Sequence, residues 1–260
     1  MADFLDTLAL DALRTVISGY YDVNEEKFSK RCVSLKNSIK MCKHAPIIAE
    51  VKPRSPSRGV LREIGSIRDI VKAMERGGAV GLSVLTEPKH FGGSLKALKE
   101  ARSHTTLPVL MKDVVVDPAQ IVAASKLGVD AVILIYAIFK RGYAKCSLEE
   151  AIQLAHQFSL EVILETHTKD EFTAALKTDA DMLGVNNRDL KTLKVDLKVT
   201  EQVLAGMKTC EKIVVSESGI HSPLDVRFLR ACGADAFLVG SAFMLAEDVE
   251  VKVRELVYAL

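Results

Sequence analysis

Eight short apolar runs recur along this chain. They lie near residues 46–51, 79–85, 107–111, 130–136, 160–164, 181–185, 212–216 and 236–239. Their Val, Ile and Leu residues leave neither face polar, the pattern of strands in a parallel sheet covered by helices. The intervening segments space apolar residues by three and four, as at Ile67, Ile70, Val71 and Met74, or Ile121, Val122, Ala124 and Leu127. That period predicts amphipathic helices. Gly77, Gly128 and Gly233 are expected just past helix ends. Ser222 followed by Pro223 supplies an N-cap and a proline at the first helical position. Eight strands alternating with helices predict parallel pairing and a single (β/α)8 TIM barrel over residues 1–260. A doubly wound sheet is the competing arrangement, and eight repeats favour the barrel.

Residues 1–45 break this rhythm. Leu5, Leu8, Leu10, Leu13 and Val16 predict one amphipathic helix, which Tyr20 to Asn24 ends. A second, Lys-rich helix is expected from about Glu25 to Lys40. The segment reads as an N-terminal helical extension capping one end of the barrel.

Composition narrows the functional classes. At 260 residues and 48% hydrophobic, the chain can bury one large core. A formal net charge of +1 implies no nucleic acid or other polyanion partner. No apolar run is long enough to span a membrane, and the acidic start lacks the basic region of a signal peptide. Cys32, Cys42, Cys146, Cys210 and Cys232 are scattered, odd in number and without a C-x-x-C pair. They predict a reduced, cytoplasmic protein with no disulfide framework and no structural metal.

Chemistry in such a barrel sits at the C-terminal ends of the strands. The last two strands end in small turns, Ser218-Gly219 and Gly240-Ser241. Glycine lets backbone N–H groups approach an anion, and a following helix adds positive potential, so these turns are candidates for a phosphate site. Glu50 and Lys52, two apart, share one face of the first strand. Lys112, Glu165 and Arg188 end three other strands. Five charged side chains facing one mouth form a general acid–base set, with Asn186 and Arg188 able to orient an anion or polar group. No nucleophile–base pair and no histidine cluster for a metal stands out.

Several motifs resemble the indole-3-glycerol-phosphate synthase family. They are Ile48-Ala-Glu-Val-Lys-Pro-Arg-Ser-Pro-Ser57, Ser83-Val-Leu-Thr86 with Phe91-Gly-Gly-Ser94, Leu110-Met-Lys-Asp113, Val185-Asn-Asn-Arg-Asp-Leu190 and Ser216-Glu-Ser-Gly-Ile220. The resemblance spans roughly residues 45–245. It implies that 1-(2-carboxyphenylamino)-1-deoxyribulose 5-phosphate undergoes ring closure, decarboxylation and dehydration to indole-3-glycerol phosphate. It implies Lys112 as the acid for closure, Lys52 and Glu165 for dehydration, Glu50 holding a lysine charged, and Asn186 and Arg188 orienting substrate. Ser55, Ser218, Gly219, Gly240 and Ser241 would cradle phosphate, with Arg54 an extra cation and Phe91 part of the aromatic wall. Because loss of CO2 restores an aromatic ring, no metal, thiamine or pyridoxal cofactor is implied. The chain would be a monomer or weak homo-oligomer, free to associate with other enzymes of tryptophan biosynthesis. Val114 departs from the family pattern, where Phe is frequent, and Tyr136 at the end of strand four has no assigned role.

Two other readings compete. Phosphoribosylanthranilate isomerase is another phosphate-binding barrel, but an isomerase of that kind is expected to use a Cys/Asp pair. A non-catalytic barrel that binds phosphorylated metabolites has no use for two acids and two bases at its mouth.

Overall fold

The computed structural model describes residues 3–24, 33–207 and 211–260. Eight parallel strands close into a barrel: Ile47–Val51, Gly81–Leu85, Val109–Lys112, Ala131–Ile135, Glu161–Thr166, Met182–Asn186, Ile213–Glu217 and Ala236–Val239. The first strand pairs with the second through Ala49 and Leu82, and with the last through Ala49 and Val239. Helices cover the outside, burying Val71, Met74, Phe172, Leu229 and Val253 against the outward faces of the strands.

The helix boundaries follow local chemistry. Ser222 accepts from the Asp225 amide while the Asp225 side chain accepts from the Ser222 amide, and Pro223 occupies the first turn. Gly128 and Gly233 take the left-handed conformation after their helices, at φ +71° and +108°. Gly77 does not. It is the right-handed last residue at φ −66°, and Gly78, at +96°, reverses the chain. Tyr136 opens the helix Tyr136–Lys140 instead of ending strand four, and packs half-buried on the main core.

Alternation along the strands builds the interior in layers. Ile48, Leu110, Ile163 and Val215, from the odd-numbered barrel strands, lie in one buried cluster with Ala131, Ile133, Met182, Ala236 and Leu238. Two residues further along the same four strands stand Glu50, Lys112, Glu165 and Glu217. The barrel is thus apolar in its lower interior and ionic at its mouth.

The N-terminal extension reaches both ends of the barrel, not one. The helix Phe4–Ile17 buries Leu5, Leu8, Ala9 and Ala12 against Val114, Val116, Ile135 and Ile138 near the mouth. The short side chain of Val114 sits under this helix. Tyr20 donates to the Thr86 carbonyl at 3.1 Å and Tyr21 donates to Asp113 at 2.7 Å, fixing the chain as it leaves the mouth. The second helix expected from Glu25 lies partly on residues 25–32, outside the described residues. Its described part is the helix Leu35–Met41, capped by Ser34. Leu35 and Ile39 join the lower interior cluster from the opposite end, and the Lys36 amide donates to Glu161, the first residue of strand five, at 3.0 Å. Among the described residues no helix is long and apolar enough to cross a membrane.

Candidate active site

The mouth encloses a cavity of about 450 Å³. Its charged floor is the upper layer of the barrel. Lys112 Nζ lies 3.0 Å from Glu165 Oε2 and 2.7 Å from Glu217 Oε2. Lys52 Nζ lies 2.9 and 3.2 Å from the two oxygens of Glu50. The three carboxylates are almost wholly buried, so each depends on its ammonium partner and on specific donors. Asn186 Nδ2 supplies one donor, 2.8 Å from Glu165 Oε1.

Two glycines make room for this layer. A Cβ at Gly240 would lie 2.9 Å from Glu50 Oε2, and one at Gly184 would overlap the Glu217 carboxylate. The neighbouring strands surrender side chains where the acids need volume.

Charge states follow from the packing. Burial disfavours the Lys112 ammonium, but Glu165, Glu217 and Glu50 outweigh it and raise its pKa, so Lys112 stays charged. This differs from an isolated lysine on its own strand, because the partners come from strands five and seven. Burial also works against the Glu165 carboxylate, yet Lys112, His167 and Asn186 hold its pKa below the ordinary value. Glu217 moves the other way. Burial and repulsion by Glu165 and Glu50 exceed the pull of Lys112, and its Oε1 has no hydrogen-bond partner. Two carboxylates share one ammonium, and the pair titrates as a unit.

Beside the ionic floor stands an apolar wall of Leu8, Leu85, Phe91, Val114, Ile135 and Leu190. Phe91 is set by Glu87, whose buried carboxylate accepts from the amides of Lys89, His90 and Phe91 at 3.0, 2.7 and 3.0 Å. Asp11 of the N-terminal helix meets the same loop, 2.7 Å from Lys89 and 2.8 Å from His90. The Lys89 contact comes first among the causes that hold Asp11 at a pKa of about 2, followed by His90 and Arg14 against burial. Asp113, under the wall, is pushed up to about 6 by burial, despite donors from Thr86, Tyr21 and the Val114 amide.

The opposite wall holds the small turns. Ser218 and Gly219 are both left-handed, at φ +67° and +86°. For serine this conformation is costly and persists only when its surroundings impose it. Asn187 does so: its amide group donates to the Ser218 carbonyl at 3.2 Å and to Ser216 Oγ at 3.0 Å, while its oxygen accepts from the Thr200 amide and hydroxyl. Gly240 and Ser241 line the cavity where the short helix Ser241–Met244 begins.

Most of the expected site residues meet at this cavity: Glu50, Lys52, Phe91, Lys112, Glu165, Asn186, Arg188, Ser218, Gly219, Gly240 and Ser241. Arg54 and Ser55 do not line it. They form a small hairpin with Gly59–Val60, which leaves Arg54 exposed and turns Ser55 inward. The tip residues Ser57 and Arg58 reach the cavity instead, and Arg188 Nη1 donates to Ser57 Oγ at 3.0 Å. Burial and the nearby Arg58 lower the Arg188 pKa, against the pull of Glu50. Glu217, Asp113 and His221 also line the cavity without having been singled out. Glu217 had a signal in the sequence: it ends a strand two residues beyond inward-facing Val215.

Fold and site together define a (β/α)8-barrel enzyme with acid–base groups at the strand ends and small turns suited to an anion. The chain belongs to the indole-3-glycerol phosphate synthase family, whose model matches residues 9–256. The enzyme of that name from Methanocaldococcus jannaschii is 44% identical over 240 residues, covering 91% of this chain and 86% of the relative. The one from Caldanaerobacter subterraneus subsp. tengcongensis is 42% identical over 217 residues, covering 84% and 82%. The one from Burkholderia ambifaria is 45% identical over 205 residues, covering 79% and 77%. Among solved structures, thiamine phosphate pyrophosphorylase from Pyrococcus furiosus aligns with a TM-score of 0.61, covering 86% of this chain and 96% of that one. At 20% identity that likeness concerns the fold alone. As a member of its family the chain is a decarboxylating lyase that acts on a phosphorylated small molecule.

Proposed function

We propose that the ionic layer at the barrel mouth carries out the three steps of indole-3-glycerol phosphate formation. The observation that carries this reading is Lys112 Nζ, held charged between Glu165 and Glu217 at 3.0 and 2.7 Å on the floor of the cavity. In closure, the ring carbon bearing the carboxylate attacks the ribulose carbonyl carbon. Lys112 gives a proton to the carbonyl oxygen as the new carbon–carbon bond forms. The carboxylate then leaves as CO2, and its bonding pair restores the aromatic ring. In dehydration, Lys52 protonates the departing hydroxyl, Glu165 accepts the proton from the carbon beside nitrogen, and the new double bond completes the indole. Glu50 keeps Lys52 in place for this second task. Glu217, on strand seven, holds Lys112 as its second carboxylate partner.

The apolar wall suits the aromatic ring. The turns Ser218-Gly219 and Gly240-Ser241 suit the phosphate, with Arg188, Ser57 and Arg58 closing over it. Ser55 and Arg54 act in this reading through the shape of the hairpin. The chain works in the cytoplasm as a monomer or weak homo-oligomer; a biosynthetic reaction and the free thiols of Cys42, Cys146 and Cys232 support the location. The test is a fluorescence assay for indole formation by the purified protein. Product that depends on Lys112 supports the reading, and no product at any protein concentration contradicts it.

A further inference from the structure

Behind Glu165 lies a titratable group that the steps above do not use. His167 follows on the same strand end, with a side chain only 14% exposed. Its Nε2 lies 3.3 Å from Glu165 Oε1 but out of line for a hydrogen bond, and it has no other partner. Its Nδ1 lies 3.8 Å from Glu171 Oε2 on the following helix, and the His167 amide donates to the same Glu171 oxygen at 2.9 Å. The ring is therefore gripped between two carboxylates, one on the strand and one on the helix. It does not line the cavity, so it reaches the reaction only through Glu165.

Glu165 is contacted from three sides. Lys112 takes Oε2, and Asn186 and His167 both face Oε1. Lys112 is also needed elsewhere, at the substrate oxygen. When that ammonium turns to the substrate, Oε1 must hold the carboxylate in position. Asn186 offers a neutral donor, whereas an imidazolium places a positive charge 3.3 Å from that oxygen in a buried setting, where the attraction is little screened.

We propose that His167 is a positioning residue for Glu165: clamped by Glu171, its imidazolium holds Glu165 Oε1 so that Oε2 stays directed at the reacting atoms. The groups that face it are Glu165 and Glu171, with Glu217 further across the layer, all carboxylates. They favour the charged ring; burial opposes this, and the balance lies toward the imidazolium. The inference rests on Glu165 serving as the proton acceptor, but the contact between the two side chains can be tested apart from that role.

The experiment has two arms. In the first, the His167 ring resonance is followed by NMR against pH, assigned by its loss in His167→Gln. It should titrate above the ordinary histidine value of about 6.5, and Glu165→Gln should bring it down. Titration at or below that value, indifferent to Glu165→Gln, overturns the proposal whether or not Glu165 is the base. In the second arm, His167→Ala should lower kcat about tenfold with KM unchanged, since the ring does not touch substrate. His167→Gln, which keeps a donor near Oε1, should recover part of that loss. Unchanged kcat in both variants overturns the proposal. So does an equal loss in both that is accompanied by equal loss of thermal stability, because that is the mark of a merely structural ring. If the titration behaves as expected but kcat does not respond, the positioning claim fails while the ion pair stands.

Discussion

Two layers of the barrel interior lie two residues apart on the same four strands and differ in the chemistry of their side chains. The lower one, Ile48, Leu110, Ile163 and Val215, is fully buried and apolar. The upper one is ionic: Glu50, Glu165 and Glu217 are nearly as buried, and Lys112 is partly open to the cavity. Backbone, pleat and hydrogen bonding are shared, so the difference lies in side chains alone. The lower layer holds the strands together through packing, and loss of one of its groups leaves a void. Taken whole, the upper layer adds little net stability over apolar groups of the same volume, since ion pairs out of water barely regain their desolvation cost, although removing one ion strands its buried partner. Its arrangement is explained by chemistry, and the apolar layer beneath keeps it rigid.

Substitutions in the two layers should therefore separate activity from stability. The largest expected effect is Lys112→Met, which leaves nothing to protonate the carbonyl oxygen. It should lower kcat of the folded fraction by roughly 1,000-fold, beyond any loss of stability from leaving Glu165 and Glu217 without their ammonium. Retention of even a tenth of the turnover would move the closure acid elsewhere. In the lower layer, Ile163→Ala should cost about 2–5 kcal/mol in denaturant unfolding, with kcat of the folded fraction nearly unchanged. A comparable loss of kcat would mean that the layers are not separable.

Gly240→Val tests the boundary between the layer and the phosphate turn. On sequence alone Gly240 belongs to the phosphate site, and a side chain there should raise KM. The structure adds that its Cβ would press on Glu50, 2.9 Å away. Both KM and kcat should then suffer, with kcat/KM falling on the order of 100-fold. A pure KM effect would show that Glu50 can move aside.

The smallest effect expected is on stability. Glu217 has its pKa raised in the folded state by burial and by its neighbours. A folded barrel thus binds a proton there that the unfolded chain releases. The wild type should be at no disadvantage at a pH below the ordinary carboxylate value, and should lose stability relative to Glu217→Gln as pH rises through the folded value. The gap should appear as a larger difference in Tm at pH 8 than at pH 5. A constant gap, or one of opposite sign, would mean that Lys112 dominates the Glu217 environment.

How much of this was legible in the sequence follows from the same contrast. The apolar layer announces itself through eight β-branched runs, so the barrel and its strands could be read with small boundary errors, as at Tyr136. The charges at the strand ends were legible because inward positions are fixed by alternation. Their partners were not: Lys112 meets Glu165 and Glu217 across the barrel, 53 and 105 residues away, and strand register decides that. The hairpin that exchanges Ser55 for Ser57 and Arg58 depends on a pairing of two residues a side, too short for a periodic signal. The N-terminal extension reaching both ends was hidden because amphipathic spacing tells which face is buried, not against what.

The central claim is a division of labour: Lys112, in the ionic layer, serves closure, and Lys52, paired with Glu50 at the rim, serves dehydration. The most direct test is a single-turnover experiment on Lys52→Met that follows CO2 release and indole fluorescence separately. The account predicts that CO2 appears at close to the wild-type rate while indole lags behind it. Simultaneous loss of both signals would contradict it, and would mean that the two lysines act together in binding or in the first step.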